Sequence, residues 1–147
     1  MTVRVAGPPP ARSLPALDRG LLEARAGRLL QALGHGEAEI SISLVGDQEM
    51  AGLNQRFRAE PVPTDVLSFS LLEGEHAAFR GDLLGEVVID VEVAARQAST
   101  VGCDLEAEIT RLLIHGTLHL LGYDHQREEQ AHAMKEAEER LWAVLVA

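Results

Sequence analysis

Hydrophobic positions recur with two different periods along the chain, which predicts that helices and strands interleave. Leucines keep rough helical spacing from Leu14 to Leu33, and Gly34 is suited to end that helix. Residues 40–44 then alternate between apolar residues and serine, which indicates a strand with one buried face. The first dozen residues contain a run of prolines that excludes a helix, so we expect a strand or a loose arm there.

The middle of the chain predicts a short helix followed by two strands. The helix covers DQEMAGLNQRFR, with Asp47 as its N-cap, and the prolines of AEPVPT end it. The segments DVLSFS and LGEVVID are typical of strands, and we expect them to form an antiparallel neighbouring pair. The charged segment EGEHAAFRGD is then the loop between them.

Three further helices are predicted after the strands. VEVAARQASTVG ends at Gly102, and DLEAEITRLLIHGTLHLLG has Asp104 as its N-cap and Gly122 as its stop. REEQAHAMKEAEERLWAVLVA closes the chain as an amphipathic helix. We therefore expect an α/β fold of the α+β type, in which helices cover a small mixed sheet of about four strands. Residues 1–147 are expected to form a single compact domain.

Composition and charge narrow the class of protein. The apolar fraction of 46% is normal for a globular domain, and no apolar stretch is long enough to cross a bilayer. The N-terminus lacks the apolar region of a secretory signal, and a single cysteine, Cys103, excludes an internal disulfide. A cytoplasmic location is therefore the expectation. The formal net charge of −10 disfavours general binding to nucleic acid or to anionic membranes.

The segment HGTLHLLGYDH contains three of the six histidines of the chain. His115 and His119 are four residues apart on a predicted helix, so they share a face, and Gly116 adds no bulk beside them. After the stop at Gly122 the chain can turn back and bring His125 to the same point. Three imidazoles can bind one zinc ion and leave a fourth position for water, which is the pattern of catalytic zinc sites.

Other interpretations of the cluster stay open at this stage. The histidines could be ordinary side chains, the metal could occupy a closed structural site, or the three imidazoles could bind nickel or copper. A protease of the H-E-x-x-H type is disfavoured, because Gly116 stands where that motif has its glutamate. The remaining histidines stand alone in polar contexts and are expected at the surface; they are His35, His76 and His132.

HGTLHLLGYDH resembles the H-G-x-L-H-L-x-G-Y-D-H signature of the YbeY family, bacterial metal-dependent endoribonucleases implicated in ribosomal RNA maturation. LNQRFR followed by PTDVLSF resembles a further family segment, and LLGEVVID resembles the family's glycine–acid–apolar strand. The resemblance extends from Ile40 through the C-terminal helix. Ser70 stands where the family usually has a proline, and we expect this change to alter the exit of the strand and not the chemistry.

The resemblance implies a zinc-dependent, single-strand-specific endoribonuclease that acts in 16S ribosomal RNA maturation and ribosome quality control. It implies that His115, His119 and His125 bind one Zn²⁺ ion, with His115 a catalytic residue. Arg58 would be a second catalytic residue, binding a substrate phosphate, as a guanidinium fork can do. A zinc-bound water has its pKa lowered to about 7. Asp124 could orient a ligand imidazole without binding the metal itself.

Alternatives to these residue roles also remain open. Arg58 could form a surface ion pair with Glu60 instead of binding a phosphate. Asp124 could cap the turn after the histidine helix. Glu86, on its predicted strand, could be a buried partner of a histidine. No general base other than the metal-activated water can be identified from the sequence.

The implied partners are ribosomal RNA and the small ribosomal subunit, with a ribosomal protein or an assembly GTPase as a further candidate, and neither DNA nor a membrane. Because the chain is acidic, either the groove around Arg56 and Arg58 is locally positive, or docking on the ribosome raises the effective RNA concentration. We favour docking on the ribosome. Two other functions are open: a non-catalytic, metal-stabilised ribosome assembly factor and a zinc hydrolase acting on another substrate.

Overall fold

Strands and helices alternate along the chain in the computed structural model, which describes residues 2–6 (backbone alone), 17–58, 64–71, 82–123 and 127–146. The elements, in chain order, are β1 (Thr2–Ala6), α1 (Arg19–Ala32), β2 (Glu39–Val45), α2 (Asp47–Arg58), β3 (Val66–Ser70), β4 (Leu83–Asp90), α3 (Val91–Val101), α4 (Leu105–Leu120) and α5 (Glu128–Val146). The predicted α+β class is confirmed. The predicted loop between β3 and β4 lies almost entirely outside the described residues.

The four described strands form one mixed sheet in the order β1-β2-β4-β3. β1 pairs with β2, and β2 with β4, in parallel, whereas β3 and β4 form the antiparallel pair that the sequence predicts. The register between β2 and β4 shifts near the start of both strands. Gly85 lies at this irregularity with φ of +153°, and a Cβ atom there would collide with the carbonyl oxygen of Phe69. Glycine is therefore required where β3 and β4 approach each other.

Most of the core lies on the face of the sheet that α1 and α4 cover, and α5 packs against these two helices. The alternation in β2 is confirmed, because Ile40, Ile42 and Leu44 are buried on this face. They meet Val87 and Ile89 of β4, together with the apolar sides of the helices. α4 is buried along most of its length, because it packs against the sheet as well as against α3 and α5. It is therefore a rigid support for the side chains that it does expose.

The opposite face of the sheet has a smaller core under α2, where Met50 packs against Val88 and Leu67. Glu86 also lies on this face, where its carboxylate accepts hydrogen bonds from Ser41 Oγ at 3.4 Å and Ser43 Oγ at 3.3 Å. The hypothesis that Glu86 partners a histidine is therefore wrong. Alternation along β4 points Glu86 away from α4, and its neighbour Val87 occupies the α4 side.

The helix boundaries agree with the predicted caps except at the starts of α1 and α2. α1 begins at Arg19 after the N-cap Asp18, whereas the leucine spacing extends the predicted helix back to Leu14. Asp104 accepts a hydrogen bond from the Ala107 amide, and the glycines after α3 and α4, Gly102 and Gly122, have positive φ. Asp47, predicted as an N-cap, is instead the first residue of α2, and its amide donates to Glu92 of α3. None of the described helices is both long enough and apolar enough to span a membrane.

Candidate functional site

The two histidines of α4 lie side by side on its exposed side. The Nε2 atoms of His115 and His119 are 3.2 Å apart, and their rings meet edge to face with centroids separated by 4.7 Å. This arrangement confirms the shared face that the four-residue spacing predicts. Two imidazole nitrogens that bind one tetrahedral ion at about 2.0–2.1 Å lie roughly 3.3 Å from each other. The pair therefore has the spacing of two ligands of a single metal ion.

Gly116 has a different role from the one expected. It is buried against the sheet, where a Cβ atom would lie 2.7 Å from Val87 Cγ1 and 3.1 Å from Ser68 Oγ. The absent side chain therefore lets α4 approach β3 closely. Two hydroxyls hold this contact, since Ser68 Oγ donates to the Gly116 carbonyl at 2.8 Å and Ser70 Oγ donates to the Leu120 carbonyl at 3.0 Å. The serine that replaces the family's usual proline thus ties the end of β3 to the end of α4.

Glu138 is the site residue that the sequence prediction missed. The Nδ1 atom of His115 lies 3.2 Å from Glu138 Oε1, and both side chains are about one quarter exposed. A carboxylate can only accept, so Nδ1 carries the proton and the Nε2 atom of a neutral His115 presents its lone pair toward His119. α5 contains several glutamates, and no local pattern marks this one. Only the packing of α5 against α4 identifies it.

The histidines open into a cleft of about 740 Å³ between α4, β3 and the end of α2. Arg58, the last residue of α2, lines this cleft together with both histidines, as the predicted phosphate contact requires. Its side chain is exposed and forms no ion pair with another residue in the described part of the chain. Glu60, its alternative partner, lies outside that part, so the ion-pair alternative stays open.

The structure does not describe two of the predicted site residues. His125, the third predicted ligand, and Asp124 lie outside the described residues, so their assigned roles stay predictions. Within the described ranges, no group of three His, Cys, Asp or Glu side chains is placed to hold a metal ion. Of the remaining histidines, His132 is exposed as predicted, His35 is half-buried and His76 lies in an undescribed segment.

A second group of ionisable side chains joins α2 to α3 where β2 and β4 end. Asp90 is the N-cap of α3, and its Oδ1 accepts hydrogen bonds from two amides, while its Oδ2 is buried and the carboxylate of Asp47 is a close neighbour. Burial and this neighbouring carboxylate raise the pKa of Asp90 to about 7. Arg96, 2.9 Å from Asp47, lowers the pKa of Asp47. Asp90 is therefore the acid of the pair that retains a proton.

Comparisons with known proteins agree with this architecture. The sequence profile of the family described as Endoribonuclease YbeY matches residues 19–145. A protein named Endoribonuclease YbeY from Pelotomaculum thermopropionicum is 46% identical over 125 residues, which cover 83% of this chain and 82% of the relative. A protein of the same name from Anaeromyxobacter sp. (strain Fw109-5) is 48% identical over 140 residues, which cover 94% of this chain and 70% of the relative.

A solved structure is also similar. The solution structure of TM1509 from Thermotoga maritima superimposes with a TM-score of 0.67 at 28% identity, and covers 98% of this chain and 89% of that one. Fold, sequence profile and relatives therefore agree over nearly the whole chain, and they confirm the resemblance drawn from the histidine motif. The chain belongs to the Endoribonuclease YbeY family.

Proposed function

We propose that this protein is a zinc-dependent, single-strand-specific endoribonuclease that acts in 16S ribosomal RNA maturation and in ribosome quality control. Membership of the Endoribonuclease YbeY family supports the coarse activity, hydrolysis of RNA by internal cleavage. The observation that carries the proposal is the histidine pair, whose two Nε2 atoms lie 3.2 Å apart at the wall of an open cleft.

The side chains of the site fit a zinc ion. His115 and His119 would hold it through Nε2, and His125 is the predicted third ligand. The Glu138 carboxylate on Nδ1 is the partner that metal-binding histidines usually have, because it selects the tautomer and raises the basicity of the ligand nitrogen. When bound, the ion supplies Lewis acidity, which acidifies water and polarises a phosphoryl oxygen.

Arg58 would hold the substrate. Its exposed side chain lines the same cleft as the histidines, where the guanidinium can bind a phosphate through two parallel hydrogen bonds. Residues of β3 line the cleft together with the arginine and the histidines, so a phosphodiester held by Arg58 would lie in the cleft that the histidines share. In this proposal Arg58 positions the reacting phosphate and neutralises part of its charge.

The acidity of the chain supports action on a ribosomal particle rather than on free RNA. A net charge of −10 repels a polyanion, and among the described residues that line the cleft Arg58 is the one basic side chain besides the histidines. Docking on the small subunit through a ribosomal protein or an assembly GTPase would raise the local concentration of the RNA. Cleavage of purified small-subunit particles should therefore be faster than cleavage of the same RNA as a naked transcript. Equal rates at physiological salt would contradict docking.

The decisive experiment begins with metal content. Elemental analysis of purified wild-type protein and of His119→Ala should find about one zinc per chain in the wild type and none in the variant. The wild type, and not the variant, should then cleave a single-stranded RNA and spare the same sequence in a duplex. Zinc without cleavage would favour the non-catalytic assembly factor, and absence of metal from both proteins would reject the zinc site.

A further inference from the structure

An aromatic side chain is exposed at the entrance of the histidine cleft. Phe57, in the last turn of α2, is 61% exposed to solvent, although burial of a phenylalanine ring away from water is favourable. Phe69 of β3 holds this ring edge to face, with centroids 4.8 Å apart and an interplanar angle of 64°. Such pairs have a preferred geometry, so Phe57 is an oriented ring and not a loose one.

Positive charge flanks this ring on both sides in the sequence. The guanidinium carbon of Arg56 lies 6.0 Å from the centroid of Phe57, and Arg58 follows it at the end of the helix. Both arginines are exposed, in a protein whose net charge is strongly negative. An apolar protein partner would not need these charges. A single-stranded nucleic acid would use both features, because its phosphates bind arginine and its bases stack on aromatic rings.

Phe57 and the histidines line the same cleft, on opposite sides of β3. A strand whose phosphate binds Arg58 therefore passes beside the Phe57 ring with an adjacent base. Bases of a duplex are already stacked on their neighbours and cannot use such a ring, whereas the unpaired bases of single-stranded RNA can. The ring would thus contribute both affinity and a preference for single strands.

We propose that Phe57, supported by Phe69 and flanked by Arg56 and Arg58, is a stacking platform for one unpaired nucleobase of the RNA. The proposal deepens the function proposed above and rests on it for the identity of the ligand. It makes Phe57 a substrate-binding residue that selects a conformation of the RNA and not a particular base, since every base has a π-face.

The test compares Phe57→Leu, which stays apolar, with Phe57→Trp, which stays aromatic. Val101→Ala is the matched control, because Val101 is an exposed apolar residue away from this cleft. Binding is measured by fluorescence anisotropy with a labelled, fully 2′-O-methylated single-stranded oligonucleotide, whose integrity is checked after each titration. The same oligonucleotide is then made with one abasic position at a time. Melting temperature and zinc content are measured for every variant, to exclude loss of fold or metal.

Stacking predicts that Phe57→Leu weakens binding roughly 5- to 100-fold, whereas Phe57→Trp and Val101→Ala bind as the wild type does. One abasic position should weaken wild-type binding by a similar factor and leave Phe57→Leu unaffected. If Phe57→Leu binds like the wild type, if abasic positions weaken it equally, or if the wild type does not bind the oligonucleotide, the platform is rejected. If the variants and abasic oligonucleotides bind as stacking predicts but unmodified RNA is not cleaved, only the proposed function is rejected. If unmodified RNA is cleaved but binding does not follow these predictions, only the platform is rejected.

Discussion

The Nδ1 atom of His115 lies 3.2 Å from Glu138 Oε1, so the C-terminal helix determines which nitrogen of this imidazole faces the cleft. The contact joins two helices whose residues are 23 positions apart in the chain. It leaves Nε2 of His115 with its lone pair directed toward His119, 3.2 Å away. Because a proton on that nitrogen would block a metal ion, Glu138 links the packing of α5 to the chemistry of the proposed site.

Removing this carboxylate should weaken zinc binding without removing any ligand. We expect Glu138→Ala to lower zinc affinity about 10- to 100-fold, because the ligand ring loses its orienting acceptor. Glu138→Gln should lose less, since its amide oxygen still accepts from Nδ1. Competition with a chromophoric chelator measures the affinity. Glu139→Ala, an exposed neighbour on the same helix, is the control, and wild-type affinity in Glu138→Ala would show that the carboxylate does not set the tautomer.

Arg58 and His115 should separate substrate binding from metal binding. Arg58→Ala should keep its zinc but lose on the order of 10²-fold in kcat/KM, because the phosphate loses its guanidinium partner. Its binding to single-stranded RNA should also depend less on salt, with a slope smaller by about 0.7. His115→Ala should lose zinc and activity together. Arg140→Ala, on the exposed side of α5, is the control, and normal cleavage by Arg58→Ala would exclude the assigned role.

Alanine substitutions at two glycines, one at the contact between α4 and β3 and one in α2, should change the free energy of unfolding in opposite directions. Gly116→Ala should lower the free energy of unfolding by roughly 1–3 kcal/mol, because its Cβ would overlap the fully buried Val87. Gly52→Ala, at an exposed position of α2 with no atom within 4 Å of the new Cβ, should instead raise it by about 0.5–1 kcal/mol. Urea unfolding measures both. A Gly116→Ala protein as stable as the wild type would mean that the helix can move away from the sheet at no cost.

The carboxyl pair of Asp90 and Asp47 predicts a pH dependence of stability. The pKa of Asp90 is raised from 3.8 to about 7, so the folded protein binds a proton there that the unfolded chain releases. The raised pKa of Asp90 therefore contributes its whole stabilising effect to the free energy of unfolding below pH 3.8, and this contribution is lost as the pH rises through 7. Asp90→Asn keeps the N-cap but cannot ionise.

Relative to the wild type, Asp90→Asn should therefore gain stability between pH 4 and pH 8. The gain should be on the order of 2–4 kcal/mol, since each unit of pKa difference is worth about 1.4 kcal/mol. Urea unfolding of both proteins at several pH values gives the difference directly. A constant difference across this range would indicate that Asp90 is ionised throughout. Asp104→Asn provides a control, because Asp104 is an exposed N-cap for which the described part of the chain shows no carboxylate partner.

Local features of the sequence were sufficient to predict most elements and one part of the site. The caps and stops of α4 depend on single residues, Asp104 and Gly122, and the shared face of His115 and His119 depends on helical spacing alone. The antiparallel pair of β3 and β4 followed from adjacent apolar segments. Each of these properties depends on residues close together in the chain, so no tertiary information was needed.

Contacts between distant segments were decided only by the tertiary structure. Glu138 and Glu86 are both glutamates in regular elements, yet packing places the first against His115 and the second on the opposite face of the sheet. Gly116 is next to the histidines in sequence, and its role is to fit Val87 of β4. The spacing of the histidine motif by itself determined that two imidazoles can meet. Which carboxylate, which arginine and which ring surround them depends on how the helices pack on the sheet, because packing joins side chains that no sequence period relates.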